Sequence, residues 1–386
     1  VEMFGGSLTD AEWYFGDADG LFSELGDERG SAYIEQHRAW IAFLSGDLSA
    51  ARERLTRSAE THIRLGDRNG VGWAFGLLAF VEFFEGRFAE AEELAGTVGA
   101  EAEQRGDVWA ASMMETLLAD LRLSQGKLED AANFADKARQ RFKRINDKFG
   151  MIQAMAPLVR AQIALGRHAS AQRTSEELLS IGESSQNGMF ALMAVAGAAM
   201  HRGNGAVAAA TAERALAEIA AVGGEGYEPI VVLALAYAQL GRVEDAMSAI
   251  ESVPSYGHDH PFTRAVEALV NTVAGLPADA IKHADSVATA TGATYLDNVF
   301  AYVAAAGAYQ QMGDREHAIL SVEAAVATAM AVGDVVATAL ATSAYQLIAG
   351  VAHPAHDPRT LLGAGWTTLL ALLAGDQLAV VGSAGD

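Results

Sequence analysis

The 386-residue sequence contains no cysteine, which excludes disulfides, thiolate metal ligands and cysteine nucleophiles. Basic residues are also scarce: 27 Lys and Arg stand against 49 Asp and Glu, so the formal net charge is −22 at pH 7. A field of that sign repels nucleic-acid backbones and anionic lipid headgroups. We therefore expect no direct binding to nucleic acid and no membrane partner.

The sequence also lacks an apolar run long enough to span a bilayer. The longest run, from Met189 to Met200, has 12 residues, whereas a spanning helix needs about 18. The start, from Val1 to Gly6, is acidic and lacks the layout of a signal peptide. We expect a cytoplasmic protein. The first residue is not Met and Gly6 already lies at a repeat turn, which is expected of an excerpt of a longer chain, with a processed N-terminus as the alternative.

Sequence signatures of catalysis are missing as well. There is no Gly-x-x-x-x-Gly-Lys-Ser/Thr phosphate loop, no His-Glu-x-x-His metal motif and no Gly-x-Ser-x-Gly nucleophile elbow. The histidine clusters His258-Asp259-His260 and His353/His356 lie in breaks of the helical pattern, where loop histidines are far commoner than zinc ligands. The sequence therefore predicts no catalytic residue, no cofactor and no metal.

What the sequence does contain is one pattern, Gly-x-x-x-x-Ala, repeated nine times. Its glycines are 34 to 40 residues apart, a spacing typical of stacked arrays of similar units. The nine pairs are Gly6/Ala11, Gly46/Ala51, Gly86/Ala91, Gly126/Ala131, Gly166/Ala171, Gly203/Ala208, Gly241/Ala246, Gly275/Ala280 and Gly313/Ala318.

A second set of turns, such as Gly66, Gly106 and Asn146, lies about halfway between these glycines. Glycine or asparagine can take the left-handed conformation that ends a helix, and the Asp that follows can cap the next helix. One period is therefore two helices of about 16 to 18 residues and two turns. An isolated helix pair cannot bury its apolar stripe, so neighbouring pairs must stack. The predicted fold class is all-α.

The position seven residues before a turn glycine carries Ala or Ser in eight of nine cases. A small side chain there lets a second helix approach closely. Together with the later alanine, this pattern resembles the tetratricopeptide repeat, most clearly at Ala234, Tyr237, Gly241, Ala246 and Pro254. The usual period of that family is about 34 residues, whereas here it is mostly 37 to 40. The longer period resembles sensor arrays of the maltose-activator type. Such arrays occur in signal-transducing ATPases, in LuxR-type regulators and after the ATPase of some actinobacterial class III nucleotidyl cyclases.

The resemblance covers about residues 1–351 and implies a right-handed superhelical solenoid of about nine antiparallel helix pairs. It also implies a non-enzymatic interaction module that is the sensor or scaffold part of a larger signalling or transcription-regulatory protein. The implied partner is a protein, a peptide or a small effector, including the ATPase, cyclase or DNA-binding part of the same full-length chain.

Two other functions are compatible with the repeat. One is a stand-alone adaptor that joins two proteins. The other is an enzyme built as a ring of helical hairpins that acts on a sugar or an isoprenoid. Such an enzyme needs two acids in a central cavity, and the candidate inward acids are Glu82 and Asp120.

In tetratricopeptide arrays the first helix of each pair lines the concave groove. Transferred to this chain, the residues two, three, six, ten and thirteen positions before each turn glycine face inward. In the first four repeats these positions carry aromatic and hydrogen-bonding residues, which suit recognition of a peptide, a sugar or a small effector; packing between helices is the alternative role. The candidate groove residues are Tyr33, Gln36, Trp40, Trp73, Phe80, Phe83, Asp120, Gln153 and Arg160.

One basic run stands out against the acidic background. Lys137, Arg141, Arg144 and Lys148 follow a helical spacing along one face of a second helix. They are a candidate dock for an acidic partner surface, or a solvated face paired with nearby acids such as Asp136.

The last 35 residues depart from the repeat. Pro354 and Pro358 interrupt the helical pattern, and the stretch from Thr360 to Leu373 predicts one more amphipathic helix. We therefore divide the chain into a repeat array over residues 1–351 and a capping helix with a tail over residues 352–386. Exposed ends of such arrays need covering, and Trp366 is expected on the buried face of the cap.

Overall fold

The computed structural model describes residues 8–185, 188–224, 226–357 and 362–375, and within these ranges the chain is helical, with no strand. The predicted turn at Gly6 and the predicted tail after residue 375 lie outside the described residues. The α-helices are α1 (Leu8–Leu25), α2 (Glu28–Leu44), α3 (Leu48–Arg64), α4 (Arg68–Phe84), α5 (Phe88–Arg105), α6 (Val108–Ser124), α7 (Leu128–Arg144), α8 (Lys148–Ala164), α9 (His168–Glu183), α10 (Gly188–His201), α11 (Gly205–Ala221), α12 (Tyr227–Gln239), α13 (Val243–Glu251), α14 (Pro261–Val273), α15 (Pro277–Ala288), α16 (Tyr295–Gln311), α17 (Arg315–Val332), α18 (Val335–Ala349) and α19 (Ala364–Leu373).

From α2 to α17 these helices form eight consecutive pairs, with α1 before them and α18 and α19 after them. The first helices of neighbouring pairs pack on one another along the array, which places them on its inner side. The predicted all-α helical solenoid is confirmed. None of the described helices is both long enough and apolar enough to cross a membrane.

The turns follow the predicted chemistry. Gly46 and the other turn glycines have positive φ, and Asn146 is the described non-glycine residue that shares this conformation, with φ of 56°. Asp67 caps α4 because its side chain accepts the N–H of Gly70 at 3.1 Å. The same three-residue cap recurs at Asp27, Asp47, Asp107 and Asp147. Each cap satisfies an N–H that the start of a helix leaves without a backbone partner.

Small residues seven positions before the turn glycines form the centre of the stack. Ala39, Ala79, Ala119 and the equivalent residues up to Ala306 are fully buried. Buried amides also join consecutive inner helices: Gln239 Nε2 donates to Met200 O at 3.0 Å. These contacts repeat from pair to pair, so each pair holds its neighbours in the same orientation.

The array also touches itself. Six turn glycines lie against residues much further along the chain, in later connections, at helix ends or on α19, and we call this line of contacts the seam. It consists of Gly46 on Tyr256, Gly86 on Gly292, Gly126 on Val332, Gly166 on Val335, Gly203 on Trp366 and Gly241 on Thr368. Because the seam joins successive windings of the solenoid, the concave side is bounded by contacts between distant pairs, whereas the sequence alone suggested an open groove.

The predicted C-terminal helix is present as α19, which begins at Ala364; its predicted start at Thr360 lies outside the described residues. The helix packs on the inner helices α12, α14 and α16 and on α18. Trp366 is 0 % exposed, and its Nε1 donates to His201 O at 2.8 Å. The helix therefore covers the inner side of the C-terminal pairs and takes part in the seam.

We predict that Gly86→Ala weakens the seam. Gly86 and Gly313 have nearly equal φ, 77° and 78°, so alanine carries a similar left-handed cost of about 1–2 kcal/mol at either site. A Cβ on Gly86 would lie 2.6 Å from Gly292 Cα, whereas a Cβ on Gly313 would meet no atom within 4 Å. Urea unfolding should show a larger loss of stability for Gly86→Ala, and X-ray scattering should show a larger radius. Equal effects of the two substitutions would contradict the seam.

We also predict that Trp366→Ala lowers the free energy of unfolding by roughly 3–5 kcal/mol, because it empties a fully buried site. Trp366→Phe should cost less, since a ring still packs on Phe300 but His201 O loses its donor. The control is Trp13→Ala on α1, where the indole is 66 % exposed. If Trp366→Ala and Trp13→Ala have the same urea midpoint, α19 does not contribute to the seam.

Candidate ligand-binding site on the inner surface

The aromatic candidates of the first two pairs stack along the inner helices. Trp73 stacks on the His37 ring with centroids 5.8 Å apart, and Phe15 contacts the same ring at 5.4 Å. Trp40 stacks on Phe43 at 5.6 Å. These rings are half-buried, so each has one face in the protein and some surface left for contact with a ligand.

Other candidates of this region are engaged in joining helices. Gln36 is fully buried, and its Nε2 donates to Gly70 O at 2.7 Å. The Tyr33 hydroxyl donates to Asp67 Oδ2 at 3.3 Å, which attaches α2 to the start of α4. Phe80 and Phe83 pack against the core between the pairs. Packing between helices was the alternative role predicted for these residues, and the contacts of Gln36, Tyr33, Phe80 and Phe83 fit that role.

The two acids considered for a ring-shaped enzyme belong to separate clusters. Glu82 is buried on α4, where Arg52 and Arg87 both donate to its carboxylate. Asp120 on α6 has Arg160 and Glu228 as its charged neighbours. Glu82 is thus neutralised by its own surroundings, while Asp120 lies in the group described next.

Four charged side chains from four inner helices interact electrostatically on the concave side, and we call Asp120, Arg160, Glu228 and Asp297 the interior cluster. Arg160 on α8 interacts electrostatically with all three carboxylates. The sequence register predicted Asp120 and Arg160, both six residues before a turn glycine. Glu228 lies thirteen residues before Gly241, an inward position of the same register. Applying the register beyond the fourth pair would have identified it.

Burial dominates the acid–base behaviour of this cluster. It raises the pKa of Asp120 to about 7, although Arg160 opposes the shift; the Glu228 charge adds to it. Burial also raises the pKa of Glu228. Burial raises the pKa of Asp297 too, despite hydrogen bonds donated by the Thr294 backbone at 2.9 Å and its hydroxyl at 2.8 Å. Carboxyl groups perturbed together in an enclosed space are typical of functional sites.

Three members of the interior cluster have no direct partner. Within the described ranges, no hydrogen bond or ion pair forms at the side chains of Asp120, Arg160 or Glu228. The Glu228 side chain is exposed by surface area, although the protein around it raises its pKa. A side chain with both properties faces a water-accessible space surrounded by protein. Gln153, the remaining inner candidate, is half-buried on α8, the helix that also carries Arg160.

A small cavity adjoins Arg160 on the seam side. Its volume is about 10 Å³, and Ser124, His201 and Tyr295 contribute to its lining. A polar space of that size is just large enough for one water molecule. Beside it, Asp334 Oδ2 accepts the Tyr295 hydroxyl at 2.9 Å and lies 3.1 Å from His201 Nε2. These buried contacts join the two windings next to the interior cluster.

A larger cavity, of about 510 Å³, lies between α1, α2 and α3. Its charged walls are paired: Arg64 bonds Glu28 at 2.5 Å, and Arg57 bonds Glu35 at 2.8 Å. The interior cluster differs, since its charges lack such partners.

The prediction that the basic run lies on one helix is wrong for Lys148, which begins α8, because the left-handed turn at Asn146 separates it from the other three residues of the run on α7. The run is also partly engaged. Glu115 pairs with Lys137 at 2.5 Å and with Arg141 at 3.3 Å. Lys148 donates to the backbone of Ser184 at 3.0 Å, and Arg144 is exposed. Its use as a dock for an acidic partner stays a prediction.

No protein-family model and no curated protein matches this sequence. Solved structures give distant similarities. A tetratricopeptide repeat protein from Parabacteroides merdae ATCC 43184 is 14 % identical, with a TM-score of 0.41 over 71 % of this chain and 98 % of that one. A signal-transduction ATPase with a tetratricopeptide repeat sensor from Pyrococcus horikoshii is 17 % identical, with a TM-score of 0.42 over 80 % of this chain and 51 % of that one.

A third similar structure is the APC/C hetero-tetramer Cut9–Hcn1, with 12 % identity and a TM-score of 0.41 over 96 % of both chains. At such low identities and TM-scores, these structures say nothing about ligands of this chain. The evidence for the helical solenoid is the set of helices and helix contacts described above.

We predict that Asp120→Asn flattens the pH dependence of stability. With a pKa of about 7 in the folded chain and roughly 4 when unfolded, Asp120 binds more protons in the folded state between those values. Its contribution to stability therefore falls as pH rises from about 4 to 7. At pH 8 the variant should be more stable than the wild type, by at most about 4 kcal/mol, and at pH 4 the two should be alike.

The control for this experiment is Asp17→Asn, which removes one exposed carboxylate from α1. Urea unfolding at several pH values measures the slope. If Asp120→Asn and Asp17→Asn change the slope equally, burial of Asp120 is not its cause.

Proposed function

We propose that this protein is a non-enzymatic binding module that holds a partner protein, a peptide or a small effector on the inner surface of its solenoid. The observation that supports this is the interior cluster, in which Asp120, Arg160 and Glu228 converge without a direct partner. Asp120 and Arg160 are half-buried and Glu228 is exposed. A bound ligand can therefore reach these groups and supply the partners that they lack.

The geometry suggests how binding would be transmitted. The interior cluster draws on α6 and α8 from one winding and on α12 and α16 further along the array. A ligand held by all four helices binds better when the seam is closed. It would therefore shift the population of the solenoid towards the closed form, and a domain attached to the array would experience that shift.

We further propose that the array is the sensor or scaffold of a larger cytoplasmic signalling or transcription-regulatory protein. Its repeat resembles arrays that adjoin an ATPase, a cyclase or a DNA-binding part, and such a part of the same chain is one proposed partner. The stacked rings of Trp40 and Trp73 would extend the binding surface towards the first pairs, because aromatic anchors carry much of the energy of recognition.

Native mass spectrometry of the full chain tests the inner surface. The wild type, incubated with cell extract and passed over gel filtration, should retain a bound molecule. The double substitution Asp120→Asn/Arg160→Gln should reduce that retention at least tenfold, since it removes two of the unpaired charges. The control Glu129→Gln/Arg167→Gln removes the same two charge types from an exposed ion pair on the outer surface.

Retention of the same molecule by both double variants would place binding away from the inner surface. A loss caused equally by the outer pair would show that general charge, not the interior cluster, carries the effect.

A further inference from the structure

Helix α1 has the position of a second helix, with no first helix before it in the described residues. Ala11 is buried and is the alanine of the Gly-x-x-x-x-Ala pattern, as at the start of each later second helix. A Cβ on Gly30 would lie 2.3 Å from the Phe22 ring, and a Cβ on Gly70 would lie 2.2 Å from the His62 ring. Helix α1 therefore packs on α2 in the way that α3 packs on α4.

Every later second helix packs between two first helices. Helix α3, for example, packs on α2 of its own pair and on α4 of the next pair, and the same arrangement recurs from α5 to α17. Among the described helices, α1 packs extensively only on α2. These helices therefore leave uncovered the side of α1 on which a first helix of its own pair would lie.

That side of α1 carries exposed apolar residues. Tyr14, Leu21 and Leu25 are 55 %, 56 % and 80 % exposed. Together with Asp17 they follow the i, i+3, i+7, i+11 spacing of one helix face, and we call these four residues the end face. The Trp13 ring lies edge-on to that of Tyr14, with centroids 5.0 Å apart. Adjoining exposed apolar side chains of this kind are typical of interaction sites, whereas single ones are not.

The equivalent residues of later pairs show what such a face contacts. Leu94 on α5 and Phe134 on α7 occupy the register position of Tyr14. Both pack against the core of the array. A residue at this position is thus covered in a complete pair, and the end face lacks that cover among the described helices.

Charge indicates what kind of helix would cover the end face. In α3 the position of Asp17 is taken by Arg57, which pairs with Glu35 on α2. In α7 it is taken by Lys137, which pairs with Glu115 on α6. In α1 the sign is reversed, and Asp17 has no ion-pair partner within the described ranges. A first helix that fits α1 must therefore carry Lys or Arg where α2 and α6 carry glutamate.

We propose that the end face binds a basic amphipathic helix of a partner protein, which takes the place of a first helix and runs antiparallel to α1. Its apolar stripe covers Tyr14, Leu21 and Leu25, and a lysine or arginine pairs with Asp17. Helix α1 contains five acids and no basic residue, so its charge complements that of the partner. Recognition of an amphipathic helix by an apolar surface is a common mode of binding.

A second copy of this chain does not supply the required charge. Its last first helix, α18, carries Ala339 at the position that Glu35 has in α2, and Ala339 is buried. The end face is also separate from the interior cluster, since α1 contributes no residue to that cluster. This interaction therefore goes beyond the function proposed above.

Fluorescence anisotropy of a labelled peptide, titrated with the full chain at 150 mM salt, tests the proposal. The probe is an 18-residue peptide in which leucine and alanine form one stripe and lysine occupies both flanks. The comparison peptide has glutamate in place of every lysine. The wild type should bind the lysine peptide at least tenfold more tightly than the glutamate peptide.

Two double substitutions test the apolar stripe. Tyr14→Ser/Leu21→Ser should weaken binding of the lysine peptide at least tenfold, because it removes the surface that the leucines cover. Leu320→Ser/Met330→Ser removes two apolar side chains of similar exposure from α17 and should leave binding unchanged. Circular dichroism of each variant verifies that its helicity is that of the wild type.

A charge reversal tests the ion pair. Asp17→Lys should weaken the lysine peptide and tighten the glutamate peptide, each severalfold. Glu93→Lys makes the same change of net charge at an exposed acid on α5 and should alter neither. The inner-surface variant Asp120→Asn/Arg160→Gln should bind the lysine peptide like the wild type.

The proposal is overturned if the lysine peptide does not bind, or if the α1 and α17 double variants bind it equally. Equal effects of Asp17→Lys and Glu93→Lys would also overturn it, since general charge would then suffice. Loss of binding in Asp120→Asn/Arg160→Gln would move the peptide to the inner surface. Sedimentation of the wild type alone tests self-association: a dimer that Tyr14→Ser/Leu21→Ser abolishes would assign the end face to a second copy instead.

Discussion

Where Gly86 meets Gly292, two turns come so close that neither residue has room for a Cβ atom. This backbone contact and the other seam contacts hold distant helix pairs of the array against one another. Without the seam the inner helices would border an open groove, and the charged groups on them would be hydrated. With it, Asp120 is half-buried while Glu228 stays exposed, and burial raises the pKa of Asp120 to about 7.

The interior cluster can be understood as a consequence of that closure. Inner helices of a stacked array present the same register positions again and again, so closing the array brings equivalent positions of distant pairs together. Asp120, Arg160 and Glu228 all occupy such positions. Electrostatic interactions strengthen where water is excluded, and three carboxylates share the single guanidinium group of Arg160 here.

Local features of the fold could be predicted from the sequence, because each turn depends on a few neighbouring residues. Most glycine turns, the Asp caps and the buried small residues such as Ala39 were foreseen and are confirmed. The predicted turn at Gly182 is wrong, because α9 continues through it to Glu183, and the turn at Gly292 was not foreseen. Asp120 and Arg160 were foreseen as candidates from the repeat register. The burial of Gln36 against Gly70 and the seam were not, since these contacts join separate repeats and no local pattern encodes them. Asp297 lies outside the register positions used, near the start of its helix.

The contact between Trp366 and His201 joins residues 165 positions apart, and this has a consequence for folding. A stack whose units touch only their neighbours can fold and unfold one unit at a time. Contacts of long sequence separation form late, because the intervening chain must be ordered first. We therefore expect the helix pairs to assemble locally and the windings to close last. In the closed array, contacts of this kind tie the terminal helix to the middle of the chain, so opening is expected to involve many units together.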